Sequence, residues 1–451
     1  MHKLKSTLLS RDNYRLAFLF VTLIYSIGLL AFTSTVLNFL LLVWGAVLFL
    51  YDLFTRRIMF QSRRSYLLIA FMLLYVVTLT LNYQMGLFEN LKVFGVTGLQ
   101  LFLLLPYDKE AGHDQLIRHI RRFNQLIVVF TFVFSLLAIL MYIFWINGTV
   151  GEVEFGSKNG LLFGLYSGPN TGAPLAAISL LVTLIDAHIS QRFPPKWMIA
   201  NIAVQLSFIY LTNSRATLYS LLAVLALYSL VYLHGIKRKA IGLAGTVLTF
   251  ALKDVIKDIF YWIQSGIQWL VYWVTGLFSS SSATDTDTTP PVITPPDKVI
   301  TMGFLNGRAE LWQCGAKIIR DYPLFGVGSR NIPEVALQYA SLDKLPGIYG
   351  GGMHNILVQL MVSNGILGFL TLFAFAVICI VEVVRFFRYS RLSGENSRLV
   401  FLGFSLLLML LINNMAEANI LFAASFMATI FWSYLGFILC LCDKQKQERQ
   451  Q

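Results

Sequence analysis

Apolar runs of roughly 14 to 30 residues recur from one end of this chain to the other, and nothing else constrains its fold as strongly. A helix needs about 20 apolar residues to cross the hydrocarbon of a bilayer, where the backbone finds no water to bond. Of the 451 residues, 57% are apolar and 13% charged, whereas a soluble domain carries about 25% charged residues. The expectation is an all-α polytopic membrane protein with about 12 transmembrane helices. The runs fall at 16–32, 36–54, 66–83, 92–106, 124–146, 171–188, 197–211, 216–234, 240–252, 355–384, 399–414 and 419–441. The opening "MHKLKSTLLSRDNYR" is long and basic, and the run after it lacks a small-residue cleavage site, so no cleavable signal peptide is expected.

Basic residues cluster in alternate connections. Lys3, Lys5, Arg11 and Arg15 come first, then "RRIMFQSRR", "RHIRR", "SQRFPPK", "KRK", "RFFRYSR" on to Arg398, and "KQKQER". Lysine and arginine are retained on the cytoplasmic side, so both termini are expected there. The net charge of +12 is then a topology signal, and no nucleic-acid partner is expected. Cys379, Cys440 and Cys442 lie in apolar helices and Cys314 has no evident partner. Neither a disulfide framework nor a metal site is supported.

One segment tests this topology. "DIFYWIQSGIQWLVYWVTGLF" (258–278) is apolar enough to span, and crossing alone would put every later loop on the other side. Its Tyr261, Trp262, Trp269, Tyr272 and Trp273 suit an amphipathic helix lying in the outer interface. "SSSSATDTDTTPPVITPP" (279–296) reads as an exposed linker. The expected organisation is nine spans in 1–252, an extracytoplasmic region at 253–353 with interfacial and short amphipathic helices, three spans in 354–442, and a cytoplasmic tail at 443–451. A long connection in a compact protein is usually functional.

Against that topology, three basic residues on the outer side need explaining. Arg215 in "TNSRATLYS" follows Asn213 and Ser214, either of which can cap a helix. Arg308 in "LNGRAELWQCGAKIIRDYP" follows Asn306 as a cap, and its helix must end before Pro323. His354, one of 6 histidines, opens the run that follows "GGGM". A cation at a helix N-terminus opposes the dipole at a cost of about 0.3–1 kcal/mol. A bound anion reverses that penalty, since helix N–H groups and guanidinium forks both favour phosphate. Each arginine alone also reads as a headgroup-binding interfacial residue, and His354 as a helix cap. Together the three suggest a pyrophosphate site at the outer surface, with His354 kept neutral by its cationic neighbours and able to accept a proton from a sugar hydroxyl.

Other residues are weaker candidates. Asn170 and Thr171 in "SGPNTGA" suit glycan contact, although Pro-Asn also simply starts a helix. Tyr322, Glu310 and Asn355 are candidates to line the site, with Glu310 also explained as a helix N-terminal acid. Gly365 and Gly368 read as close helix packing. Glu417 in "NNMAEAN" reads as a solvated residue of a short outer turn.

The chain resembles the O-antigen ligase family, which also contains Wzy-type polysaccharide polymerases. The resemblance is carried by "GPNTGA" (168–173), "NSRA" (213–216), "NGRAELW" with "YPLFGVG" (306–328), and "MHNILVQLMVSNGILGFL" (353–370). The motifs keep the family's order across the second two-thirds of the chain; the N-terminal third matches only as hydrophobic spans. The resemblance implies a metal-independent, inverting glycosyltransferase acting on a polyprenyl-pyrophosphate-linked glycan in surface polysaccharide assembly. It implies Arg215 and Arg308 as pyrophosphate ligands and His354 as the base for the acceptor hydroxyl. Expected partners are the lipid-linked donor, a glycan or lipid-linked acceptor and the bilayer, with a chain-length regulator or flippase as further ones. No cofactor is expected: neither GxxxxGKS/T nor GxGxxG is present.

Twelve spans with cytoplasmic ends also describe transporters, including lipid-linked glycan flippases. Transporters concentrate ionisable residues or broken helices near the midplane and repeat their halves. Here the spans carry few charges and the unusual residues lie at one surface, which favours the enzyme. Polymerase and ligase share the donor chemistry and differ in acceptor; the reading leans slightly towards the polymerase.

Overall fold

The computed structural model describes residues 8–108, 111–158, 160–190, 196–278, 307–389 and 395–448. The linker at 279–296 and the Asn306 cap lie outside them. In chain order the helices are α1 (Arg11–Tyr25), α2 (Ser34–Thr55), α3 (Ser65–Leu81), α4 (Leu87–Leu104) and α5 (His113–Ile143). A three-stranded antiparallel sheet follows, β1 (Gly148–Val150), β2 (Val153–Lys158) and β3 (Leu161–Gly164). Then come α6 (Pro169–Ser190), α7 (Lys196–Thr212), α8 (Arg215–Tyr232), α9 (Ile236–Phe278), α10 (Arg308–Asp321), α11 (Ile332–Ala336) and α12 (Ile348–Gly351). The chain closes with α13 (Ile356–Tyr389), α14 (Glu395–Asn414) and α15 (Phe426–Glu448).

This is a multi-pass α-helical membrane protein. Helices α2, α4, α5, α6, α8, α13, α14 and α15 are long and apolar enough to cross a bilayer. The other four expected spans fall on α1, α3, α7 and α9. The apolar surface of α2 faces outward, whereas α6 and α15 are almost wholly buried at the centre. Lipid tails are as apolar as leucine, so helices in a bilayer are held by packing and by interhelical hydrogen bonds. A buried chain of such bonds ties α5, α6 and α7. Ser135 donates to Gln205, Gln205 to Asn201, and Asn201 to both Ser179 and Thr183, while Thr131 donates to Ser179. Each bond of this kind contributes about 0.6 kcal/mol.

Helix α13 is broken. Gly365, at φ 64° and ψ −172°, is non-helical inside it. The loop "PLFGVG" (323–328) fills the gap and satisfies the freed backbone. Ile366 and Leu367 N–H donate to the Pro323 and Leu324 carbonyls, and Val327 and Gly328 N–H donate to the Val362 and Ser363 carbonyls. A Cβ on Gly365 would stand 2.2 Å from the Leu324 carbonyl. The expected unbroken span at 355–384 is therefore two helical segments, and Gly365 admits a loop backbone where helix packing was expected. Residues 307–353 otherwise form a cap with its own small core, built from Leu311, Cys314, Ile318, Val335, Ile348 and Met353 among others.

Two further boundaries differ from expectation. No break separates 240–252 from 258–278: α9 runs continuously for 43 residues, about 64 Å at 1.5 Å per residue. The intervening "LKDVIKD" (252–258) contains no glycine or proline, so the helix passes through it. The tryptophan-rich segment is thus the far end of α9, with Trp262 and Trp269 exposed, and not a separate interfacial helix. The domain boundary expected at 252 falls inside this helix. The last helix starts at Phe426 and not near 419, because 415–425 forms a buried turn. Asn414 accepts from the Asn419 N–H, Trp432 donates to the Ile420 carbonyl, and Ser425 accepts from the Ala428 N–H.

Candidate functional site

The cap lays Arg308 and His354 beside this buried turn. Arg308 is the first residue of α10, behind Gly307 in the left-handed region. His354 sits one residue before the Asn355 cap of α13, with φ 46°. Its turn is fixed from both sides. Trp312 of α10 donates to the Met353 carbonyl, and the Met353 N–H donates to the Gln359 side chain. Between Arg308 and His354 lies Glu417, whose side chain is 9% exposed. One carboxylate oxygen accepts from the Arg308 guanidinium at 3.1 Å, and the other lies 3.1 Å from His354 Nδ1. Glu417 is therefore not solvated, contrary to expectation: it joins two of the three sequence candidates.

An ionised carboxylate can only accept. Its contact with Nδ1 makes that nitrogen an N–H donor, so in the neutral tautomer Nε2 is the acceptor. Nε2 faces Gly347, where an added Cβ would come within 2.7 Å of it. Glycine there keeps space beside the one ring nitrogen able to take a proton.

Arg215, half-buried, opens α8 behind Ser214, which has extended backbone and makes no side-chain capping bond to the helix. A chain of polar side chains runs from this helix start towards Glu417. Ser214 Oγ lies 3.4 Å from Asn170 Oδ1 and 3.1 Å from Thr217 Oγ1, and Asn413 Nδ2 lies 3.2 Å from Thr217 Oγ1. Asn413 ends α14, which leads directly into the Glu417 turn. The "GPNTGA" and "NSRA" motifs thus meet at the same end of the bundle as Arg308 and His354. Thr171, one residue on from Asn170, is 3.0 Å from Ser167 through its hydroxyl. Beside them a cavity of about 480 Å³ opens between β2 and the start of α6, lined by Glu152, Glu154, Lys158, Ser167 and Pro169.

Sequence reasoning also missed Lys257. It lies on α9 beyond the apolar stretch 240–252, and its ammonium donates to Asn213 Oδ1 at 3.0 Å, two residues before Arg215. Burial, and then neighbouring Lys253, press this ammonium down to about 8. Its registration on Asn213 depends on α9 continuing past 252, which the sequence reading had interrupted.

The remaining candidates have other places. Asn355 is a helix cap: its carbonyl oxygen accepts from the Leu357 and Val358 N–H groups, and its amide donates to the Met415 carbonyl. It fastens the His354 turn to the Glu417 turn. Glu310 is exposed in the first turn of α10. Tyr322 caps the far end of that helix, about 20 Å from Arg308 along 14 residues, so the structure does not bring it to the others.

Fold and geometry define a class: a polytopic membrane protein that gathers arginine, histidine and a buried carboxylate at one end of its helices. Residues 200–373 match the family model described as O-antigen ligase, so this part of the chain is similar to that family. The match contains Arg215, Arg308 and His354 and leaves Asn170 and Glu417 outside. A search of curated proteins found no match. That likeness supports a membrane glycan-transfer role in polysaccharide assembly.

Proposed function

We propose that the chain transfers a glycan from a polyprenyl pyrophosphate donor to an acceptor hydroxyl, with inversion and without a metal ion. The carrying observation is the single carboxylate of Glu417 held 3.1 Å from both Arg308 and His354. Arg308, Arg215 and the start of α8 receive the pyrophosphate, whose oxygens replace Glu417 on the Arg308 fork. Neutralising that charge makes pyrophosphate a good leaving group.

In the step itself, the acceptor oxygen bonds to the anomeric carbon as the bond from that carbon to the pyrophosphate oxygen breaks. The hydroxyl proton passes to His354 Nε2, and polyprenyl pyrophosphate departs with the bonding electrons. Glu417 stabilises the imidazolium that forms, as an orienting carboxylate does in other His-based catalysts. The cavity beside Asn170 accommodates donor sugars. The acceptor is the growing glycan in the polymerase form of this reaction, and a lipid core in the ligase form. The test is transfer by purified protein from a polyprenyl-linked donor with EDTA present: Arg308→Ala and Arg215→Ala protein should fold yet fail to transfer. Lipid-linked glycans in a deletion strain then separate the two forms, since single repeat units accumulate without a polymerase and full-length chains without a ligase.

A further inference from the structure

At the end of the bundle opposite Glu417, where α1 and α5 begin, a second polar cavity has no part in this chemistry. It measures about 430 Å³ and lies between the start of α1, the end of α2, the stretch after α4 and the first turns of α5. Arg11, Arg15, Arg56, Tyr107 and His119 line it, with Asp12 and Asp108 among the other lining groups. Two of its cations are fixed in the walls. Arg11 is paired with Asp52 and donates to the Pro106 carbonyl. Arg15 is paired with Asp12, donates to the Leu104 and Pro106 carbonyls, and stacks 3.8 Å over the Tyr107 ring.

What remains unsatisfied is donor-rich. His119 Nε2, the Tyr107 hydroxyl and Arg11 Nε are all buried without a hydrogen-bond partner, on side chains that are 5%, 9% and 6% exposed. Buried polar groups are almost always partnered, so two orphaned donors, Tyr107 and Arg11, beside an unpartnered imidazole nitrogen mark a missing ligand with acceptor oxygens. Arg56 is exposed, and no carboxylate among the described residues pairs with it. A small halide would leave most of the volume empty, whereas a phosphate with an organic substituent offers enough oxygens for all these donors. Basic pockets between membrane helices at the level of the headgroups take lipid phosphates for this reason.

We propose that this cavity binds the phosphate of an anionic headgroup or of a soluble phosphate monoester, with Arg56, Arg11 and Tyr107 as its donors.

The test is thermal unfolding of the full-length protein in nanodiscs of phosphatidylcholine. One arm adds phosphatidylglycerol to the bilayer and the other adds glycerol 3-phosphate to the solution. Arg56→Gln removes the exposed docking cation without touching the core. Arg63→Gln, at an exposed arginine of the same end outside the cavity, controls for unspecific attraction. The unfolding midpoint should rise by several degrees in the wild type and in R63Q but not in R56Q. A rise with phosphatidylglycerol alone assigns a lipid headgroup, and one with glycerol 3-phosphate alone assigns a soluble ligand. No rise in either arm, or an equal rise in R56Q, overturns the proposal.

Discussion

Glu417 Oε2 lies 3.1 Å from His354 Nδ1, while the other oxygen of the same carboxylate holds Arg308 at 3.1 Å. The pair couples the proposed base to the proposed anion site. Glu417→Gln keeps a hydrogen-bonding group but removes the charge that stabilises the imidazolium. Turnover should fall by roughly 10²–10⁴-fold, the span that base catalysis supplies. Donor binding should be retained or tightened, because Arg308 no longer has an internal competitor. Steady-state transfer together with equilibrium donor binding checks this; weakened donor binding at normal turnover would contradict it.

Lys257 predicts a pH dependence. Its ammonium is pressed down to about 8, so it is charged below that pH and loses its charge as pH rises through it. If it assists Arg215 in holding pyrophosphate, donor affinity should weaken from about pH 8 upwards, where a normal lysine stays charged until about 10.4. Lys257→Arg should remove that alkaline limb and Lys257→Gln should lower affinity at all pH values. An unchanged limb in Lys257→Arg assigns it to another group.

The broken helix predicts which glycine the fold cannot lose. Gly365→Ala would place a Cβ 2.2 Å from the Leu324 carbonyl at a residue with φ 64°, and the loop that completes the helix would be expelled. Strain of this kind costs about 1–3 kcal/mol before the lost hydrogen bonds are added. Folded yield and unfolding temperature should drop sharply. Gly266→Ala, on α9 with nothing within 4 Å of an added Cβ, should leave both unchanged or slightly raised.

Orientation in the membrane is open to direct labelling. All four native cysteines are buried, so the background is low. A cysteine at Glu154 on the exposed hairpin should react with an impermeant maleimide in cells whose outer barrier is open. One at Arg63 should react only after the inner membrane is lysed. The reverse pattern would place the candidate site in the cytoplasm.

Much of this architecture is legible in the sequence, because apolar runs locate helices and alternating basic clusters suggest their direction. The break in α13 is not legible: Gly365 reads as close helix packing, and the loop that fills the gap lies some forty residues earlier. The unbroken α9 was obscured by its charged "LKDVIKD" segment, which looks like a span end although nothing in it stops a helix. At the site, arginines beside capping residues at helix starts are readable locally. Glu417 is not, since 63 residues separate it from His354 and a lone acid in a short polar turn carries no signal of burial. Likewise the Asn170–Ser214 contact joins two motifs visible in the sequence, but their adjacency is a product of helix packing alone.

The most direct test is transfer by His354→Ala and His354→Gln protein, purified and supplied with a polyprenyl-linked donor and EDTA across a pH series. If His354 is the base, both variants bind donor as the wild type does, and both lose most of their turnover, since an amide accepts a hydrogen bond but takes no proton. The wild type should be insensitive to the chelator. Near-normal transfer by His354→Ala would contradict the account and leave the histidine as a piece of the turn that Glu417 holds in place.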